Sequence, residues 1–343
     1  MRLRTVYHRS FSLRVSLPSN HIRGDSVALS LWRILWLGLL GMIGVSLVSE
    51  SRSMLHAEPN VESTKTTSSP ELRNLLMPLI EKHRGDVGVV IKHVPSGEMF
   101  SYQADQPMST ASLIKLPLLM ATYEKVHAGD TSLDSMITLE ESDKVPGSGI
   151  LTKHFSPGLT LSLRDAIQLM VAYSDNTATN LVIDEVGLDT TNALMKKLEC
   201  GETRLNSKVF RRDTSNDMER SKAFGLGSTS ANDMLVMLTA LHDRSFVDKA
   251  TSDQIMKHLY DCEDRMKAAR YLPASVKVAH KGGSVNAART DAGIIDLPEG
   301  KGSILFCILT MNNKDESWTD ENEGDVLSAD IGKSVYDYFM KKE

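Results

Sequence analysis

The chain has 343 residues, of which 41% are hydrophobic and 24% charged, with a formal net charge of −5. That balance supplies a large apolar core, and with no 20–50-residue repeat and no low-complexity tract the sequence argues against solenoids and propellers. Acid exceeds base with no Lys/Arg stripe, which argues against a nucleic-acid partner, and three scattered cysteines make neither a disulfide framework nor a zinc site.

The N-terminal segment differs from the rest. Arg2, Arg4, Arg9, Arg14, Arg23 and Arg33 precede or open onto the weakly polar run Ile34–Val48, shorter than the ~20 residues of a spanning helix and suited to a secretory core. Leu55-x-Ala57 is a small-residue cleavage pattern, so residues 1–57 read as an export signal. The expected location is periplasmic or extracellular, with membrane anchoring if the signal stays on. No cysteine follows to carry a lipid. Without this segment 32 basic residues face 42 acidic ones, a net charge of −10.

Residues 58–69 are Ser/Thr-rich and read as a linker to a single domain over 70–343. "PELRNLLMPLIEKHR" has helical spacing, and "DVGVVIKHVPSGEMFSYQ" gives two strands around a Pro-Ser-Gly turn. From about 110 to 265 the patterns are mostly helical. "SVKVAHKGG", "RTDAGIIDL" and "GSILFCILTMNN" follow as strands, and "DVLSADIGKSVYDYFMKK" as a closing helix. The economical packing is α+β: one antiparallel sheet built from both chain ends, flanked by the terminal helices, with a helical lobe inserted. A cleft forms where lobe meets sheet.

Three short patterns carry chemistry. In "STASLIKLPLLMATYEKV" an apolar helix contains Ser112 and Lys115, three apart and on one face. Ser109 or Thr110 can cap this helix and place Ser112 in its first turn, where free N–H groups favour developing negative charge. An amine beside a serine can take its proton. Pro117 removes one intrahelical donor. In "YSDNTATN", Ser174-Asp175-Asn176 follows an apolar helix, and in "AHKGGS", Lys281-Gly282-Gly283 ends a strand. Taken singly each has an ordinary reading: a polar residue in a core helix, a cap, a glycine turn. Their joint occurrence in this order does not.

Ser112-Leu-Ile-Lys115, Ser174-Asp-Asn176 and Lys281-Gly-Gly283 resemble the Ser-x-x-Lys, Ser-Asp-Asn and Lys-Thr-Gly signature of class A β-lactamases and penicillin-binding proteins. The likeness runs from about residue 70 to the C-terminus. It implies the serine β-lactamase/DD-peptidase fold, with Ser112 as nucleophile, Lys115 as a base of depressed pKa, and Ser174 as proton relay to the leaving nitrogen. It also implies that Asn176 holds the substrate side-chain amide and Lys281 faces its carboxylate, assisted by Arg289. Backbone N–H groups of Ser112 and Ser284 form the oxyanion hole, and Gly282 and Gly283 let the substrate lie against the strand. The implied partner is a small β-lactam or peptidoglycan-like molecule, handled by a monomer without metal or cofactor; the ten histidines show no ligand spacing.

Two positions depart from the family. Gly282 stands where the family has Thr or Ser. After the matching Thr203-Arg204-Leu205, Val209 stands where class A enzymes keep the glutamate that activates the deacylating water, and Asp213 where an Asn often accompanies it. Asp213 replaces that base if its carboxylate comes within about 3 Å of a water near Ser112; otherwise it is a loop partner for Arg211 or Arg212. Three functions remain open: a β-lactamase with a relocated or weak base, a slowly deacylating peptidase or esterase-like serine hydrolase, and a non-catalytic penicillin-recognising sensor.

Overall fold

The computed structural model describes residues 69–342; the expected signal over 1–57 and all but the last residue of the linker lie outside them. Helix α1 (Pro70–Ile80) opens with Ser69 Oγ accepting from Leu72 N–H at 3.3 Å, and with proline and an acid in its first turn. Leu72, Leu76 and Ile80 recur every four residues and are buried. The helix closes two residues after Pro78, whose missing N–H weakens the last turn, so the expected run to Arg84 stops short.

Strands β1 (Asp86–His93) and β2 (Met99–Tyr102) form the expected hairpin, with Gly97 at φ 69° in its turn. Strands β3 (Val278–Val285), β4 (Ala288–Asp296) and β5 (Ser303–Met311) complete a sheet of order β2-β1-β5-β4-β3, every neighbour antiparallel. Residue parity sorts its two faces. On β5, Ile304, Phe306 and Ile308 pack with α1 and the C-terminal helix (Glu323–Lys341), while Leu305, Cys307 and Leu309 pack with the lobe. Both faces being covered explains the near-continuous apolar run of this strand.

The inserted lobe holds α2 (Lys115–Ala128), α3 (Leu163–Ala172), α4 (Asn176–Val186), α5 (Leu188–Lys197), α6 (Ala231–His242) and α7 (Lys249–Tyr260). Ser162, Asp175, Ser230 and Asp248 cap α3, α4, α6 and α7 through their side chains. Helix α2 is buried continuously from Lys115 to Tyr123 and forms the lobe's axis. Pro117 is its third residue, near the start of the α-helical segment, where proline is tolerated. The lobe also carries two small antiparallel sheets: Met108–Ser109, Gly227–Thr229 and Arg204–Leu205 in one, Met136–Thr138 and Thr160–Ser162 in the other. Segments of two or three residues are too short to show alternation in a sequence. Among the described residues no helix is long and apolar enough to cross a membrane.

Candidate active site

Ser112 lies in a 3-10 turn, Ala111–Ile114, that runs directly into α2. The expected capping differs. Ser109 is in a short strand with its hydroxyl donating to Phe224 O at 2.9 Å, and Thr110 occupies the cap position without a side-chain cap bond. Ala111 is instead held at φ 45°, a left-handed conformation that costs a non-glycine residue about 1–3 kcal/mol and recurs at functional sites. Half-buried, Ser112 opens onto a cleft of about 1080 Å³ between lobe and sheet. Ser174, Asn176, Lys281, Gly283 and Ser284 line the same cleft, so residues far apart in sequence converge there.

Lys115 is fully buried, and its ammonium donates to Ser174 O at 2.6 Å, Ser174 Oγ at 3.1 Å and Asn176 Oδ1 at 3.0 Å. These bonds tie the Ser-x-x-Lys turn to the Ser-Asp-Asn turn; none goes to Ser112 Oγ. Burial, with Lys281 adding like-charge repulsion, pushes the Lys115 pKa well below 10.5. Ser174 itself is held at φ 52°. Asp175, between the two functional residues, caps α4 through Oδ1 and accepts from Ile150 and Leu151 N–H groups through Oδ2 at 2.6 and 2.8 Å. It thereby fixes the loop carrying Gly147 and Ser148 along the cleft wall. Asn176 Nδ2 donates to Pro146 O at 3.0 Å, so its amide is oriented from both ends.

On β3 the alternation of side chains separates two roles. Lys281 is buried, donates to Gly282 O at 2.7 Å, and has its pKa lowered chiefly by burial. A β-carbon at Gly283 would sit 2.5 Å from Thr110 O and 2.6 Å from Ser112 N. Glycine is required there because the nucleophile's own backbone abuts the strand, a reason different from the expected substrate approach. A β-carbon at Gly282 would point to the other face, 3.2 Å from Asp264 Oδ2 and 3.3 Å from Lys267 Cδ. Sequence reading missed this half-buried Lys267–Asp264 pair, bonded at 2.8 Å, which fills the space beside Gly282; three-residue spacing was its only signal.

Arg289 does not reach the cleft. It pairs across the strands with Ser284 and so shares the face of Gly282. Its guanidinium donates to Ala288 O at 2.9 Å, Asn286 O at 3.3 Å, Val285 O and Ser317 O, pairs with Asp325 at 3.2 Å, and lies 5.0 Å from the Trp318 ring. With its donors so engaged it braces the β3–β4 turn.

The loop after Leu205 closes the opposite wall. Val209 is buried and lines the cleft, its N–H donating to Asn180 Oδ1 at 2.8 Å and its carbonyl accepting from Asn180 Nδ2 at 3.0 Å. Asp213 is exposed on a 3-10 turn and is not part of the cleft lining, and among the described residues it pairs with neither Arg211 nor Arg212. Neither expected role for Asp213 is met. Among the described residues the only carboxylate in the cleft lining is that of Asp264, held by Lys267. Cys200, Cys262 and Cys307 are buried free thiols.

The sequence profile of the beta-lactamase enzyme family matches residues 69–339. The chain is 25% identical over 280 residues to a β-lactamase of Bacteroides uniformis, covering 78% of this chain and 90% of that protein. It is 23% identical over 267 residues to β-lactamase VEB-1 of Pseudomonas aeruginosa, covering 75% and 86%. A β-lactamase structure from Sphaerobacter thermophilus superposes with a TM-score of 0.69 at 28% identity, over 79% of this chain and 98% of that one. The structure of PBP-A, at 21% identity, shares the fold with a TM-score of 0.70 over 80% and 98%. Matched over most of its length, with the serine and strand cation lining one cleft and the lysine buried behind it against Ser174 and Asn176, the chain belongs to the β-lactamase enzyme family.

Proposed function

We propose that this chain is a serine β-lactamase-like hydrolase that opens the β-lactam ring through an acyl-enzyme on Ser112. One observation carries the reading: Lys115 Nζ, desolvated and 3.1 Å from Ser174 Oγ, lies at the junction of the two turns that line the cleft with Ser112. Neutral Lys115 takes the Ser112 proton as Oγ attacks the lactam carbonyl. The C–N bond then breaks, and Ser174, in contact with Lys115, passes a proton to the departing nitrogen. The oxyanion is met by the N–H groups of Ser112 and Ser284, each such donor lowering the barrier by about 3 kcal/mol. Asn176 orients the side-chain amide and Lys281 the carboxylate.

Release of the acyl group is the weaker half. Val209 cannot activate water, and Asp264 is engaged by Lys267, which supports a second reading, a long-lived acyl-enzyme like that of a cell-wall peptidase. We take residues 1–57 as an export signal, supported by their arginines and the Ile34–Val48 run. We take a single chain as the working unit, since Ser112, Lys115, Ser174, Asn176 and Lys281, the residues given roles here, are all its own. Mixing purified protein with nitrocefin and following product and covalent mass together separates the readings. Turnover beyond one equivalent supports hydrolysis; one equivalent of product with a persistent adduct supports the long-lived acyl-enzyme.

A further inference from the structure

The cleft has a charge pattern that the chemistry above does not use. Its wall on the Val209 side carries Lys208, Arg211 and Arg212. Lys208 is neutralised by Asp184. Arg211 and Arg212 are exposed, and among the described residues no carboxylate pairs with either. In a chain whose net charge is −5, two adjacent unpaired arginines facing a cleft are not surface averaging.

Their backbone is set firmly. Thr214 Oγ1 accepts from Lys208 N–H at 2.9 Å and donates to Arg211 O at 2.6 Å, and Lys208 and Arg211 form an isolated bridge. The Arg211 guanidinium also donates to Ser142 O across the loop. Phe210, just before the two arginines, held at φ 56° and 63% exposed, lays its ring beside Gly147 on the cleft wall. Phe210 and the two arginines thus line one part of the cleft, next to the Gly147 and Asn176 side of it.

We propose that this wall selects acyl donors whose side chain carries a second anionic group next to an apolar one, the carboxylate meeting Arg211 and Arg212 and the apolar part meeting Phe210. This rests on the acyl-transfer reading of Ser112, since it names which substrates that serine receives. Lys281 then takes one carboxylate of the substrate and the arginines the other, and the separation of the two cationic groups across the cleft sets the substrate's direction.

Benzylpenicillin and carbenicillin make the test, because they differ by one carboxylate on the phenylacetyl side chain. Second-order acylation constants are measured by intact mass for wild type, Arg212→Gln, the Arg211→Gln/Arg212→Gln double variant, and Arg73→Gln, an exposed arginine on α1 that serves as the charge control. The ratio of carbenicillin to benzylpenicillin is expected above one in wild type. It should fall about two- to fivefold on loss of Arg212 and further in the double variant, the size of an exposed ion pair, and hold in Arg73→Gln. A ratio that ignores the loop arginines overturns the proposal, and so does one that falls equally in Arg73→Gln. If neither penicillin labels Ser112, the acyl-transfer reading fails. The wall is then read by phenylmalonate against phenylacetate in NMR titrations, where equal binding, or binding unmoved by the double variant, overturns it.

Discussion

Replacing Val209 by glutamate tests whether the loop wall lacks only a base. Asn180 clamps the backbone of Val209 on both sides, at 2.8 and 3.0 Å, so the substituted residue keeps its place facing the cleft. A positioned general base contributes about 10²–10⁴-fold, and at the lower limit the barrier to deacylation falls by about 2.7 kcal/mol. The position is 6% exposed, so the carboxyl is inserted into a largely desolvated wall, at a cost of about 1–3 kcal/mol in stability. The adduct formed with benzylpenicillin is followed by intact mass after removal of free drug, with circular dichroism melts to confirm folding. Val209→Glu should shorten the adduct lifetime at least about 100-fold, while Val209→Gln, of equal length without a base, should not. A folded, acylating Val209→Glu protein whose adduct persists as long as that of the wild type and the glutamine variant refutes the reasoning.

Other perturbations address the remaining claims. Because burial and then Lys281 lower the pKa of Lys115, and the neutral amine is the active form, acylation should rise with pH and level off well below pH 10.5. Lys281→Gln removes one lowering charge, so the rising limb should move to higher pH whatever happens to the amplitude; a limb that stays in place or moves down contradicts this. Gly282→Thr should destabilise by about 1–3 kcal/mol through crowding of Asp264 and Lys267, read as a lower Tm that Lys267→Ala partly restores. Burial opposes the charge on His280, yet Asp291, 2.8 Å away, raises its pKa to about 9. Against about 6.5 in the unfolded chain, that contribution is full below pH ~6.5 and is lost as pH rises through about 9. Urea unfolding at the two ends of that window should show a loss on the order of 2–3 kcal/mol, and the slope should flatten in Asp291→Asn.

Much of the architecture is legible because continuous or periodic apolar runs are forced by burial. The β5 run must be covered on both faces, and α1 and the C-terminal helix are amphipathic enough to cover one of them. Ser112, Lys115, Ser174, Asn176 and Lys281 are legible because a hydroxyl or amine inside an apolar segment needs a reason, and three such reasons in order are informative. What a sequence hides is direction. The Ser284–Arg289 register turns Arg289 away from the cleft, and a two-residue parity decides that Gly282 faces Lys267 while Gly283 faces Ser112. Spacing says that Lys115 is near Ser112; only the fold shows that its hydrogen bonds go to Ser174 and Asn176. Asp213 looked available as a base because charge is visible in a sequence and exposure on a turn is not.

The central claim is that Ser112 is acylated with help from Lys115, and peptide mapping after exposure to benzylpenicillin tests it most directly. The account predicts one penicilloyl group per chain on the peptide containing Ser112, absent in Ser112→Ala and formed far more slowly in Lys115→Met. An adduct that survives in Ser112→Ala, or one that forms at an undiminished rate without the Lys115 amine, contradicts it.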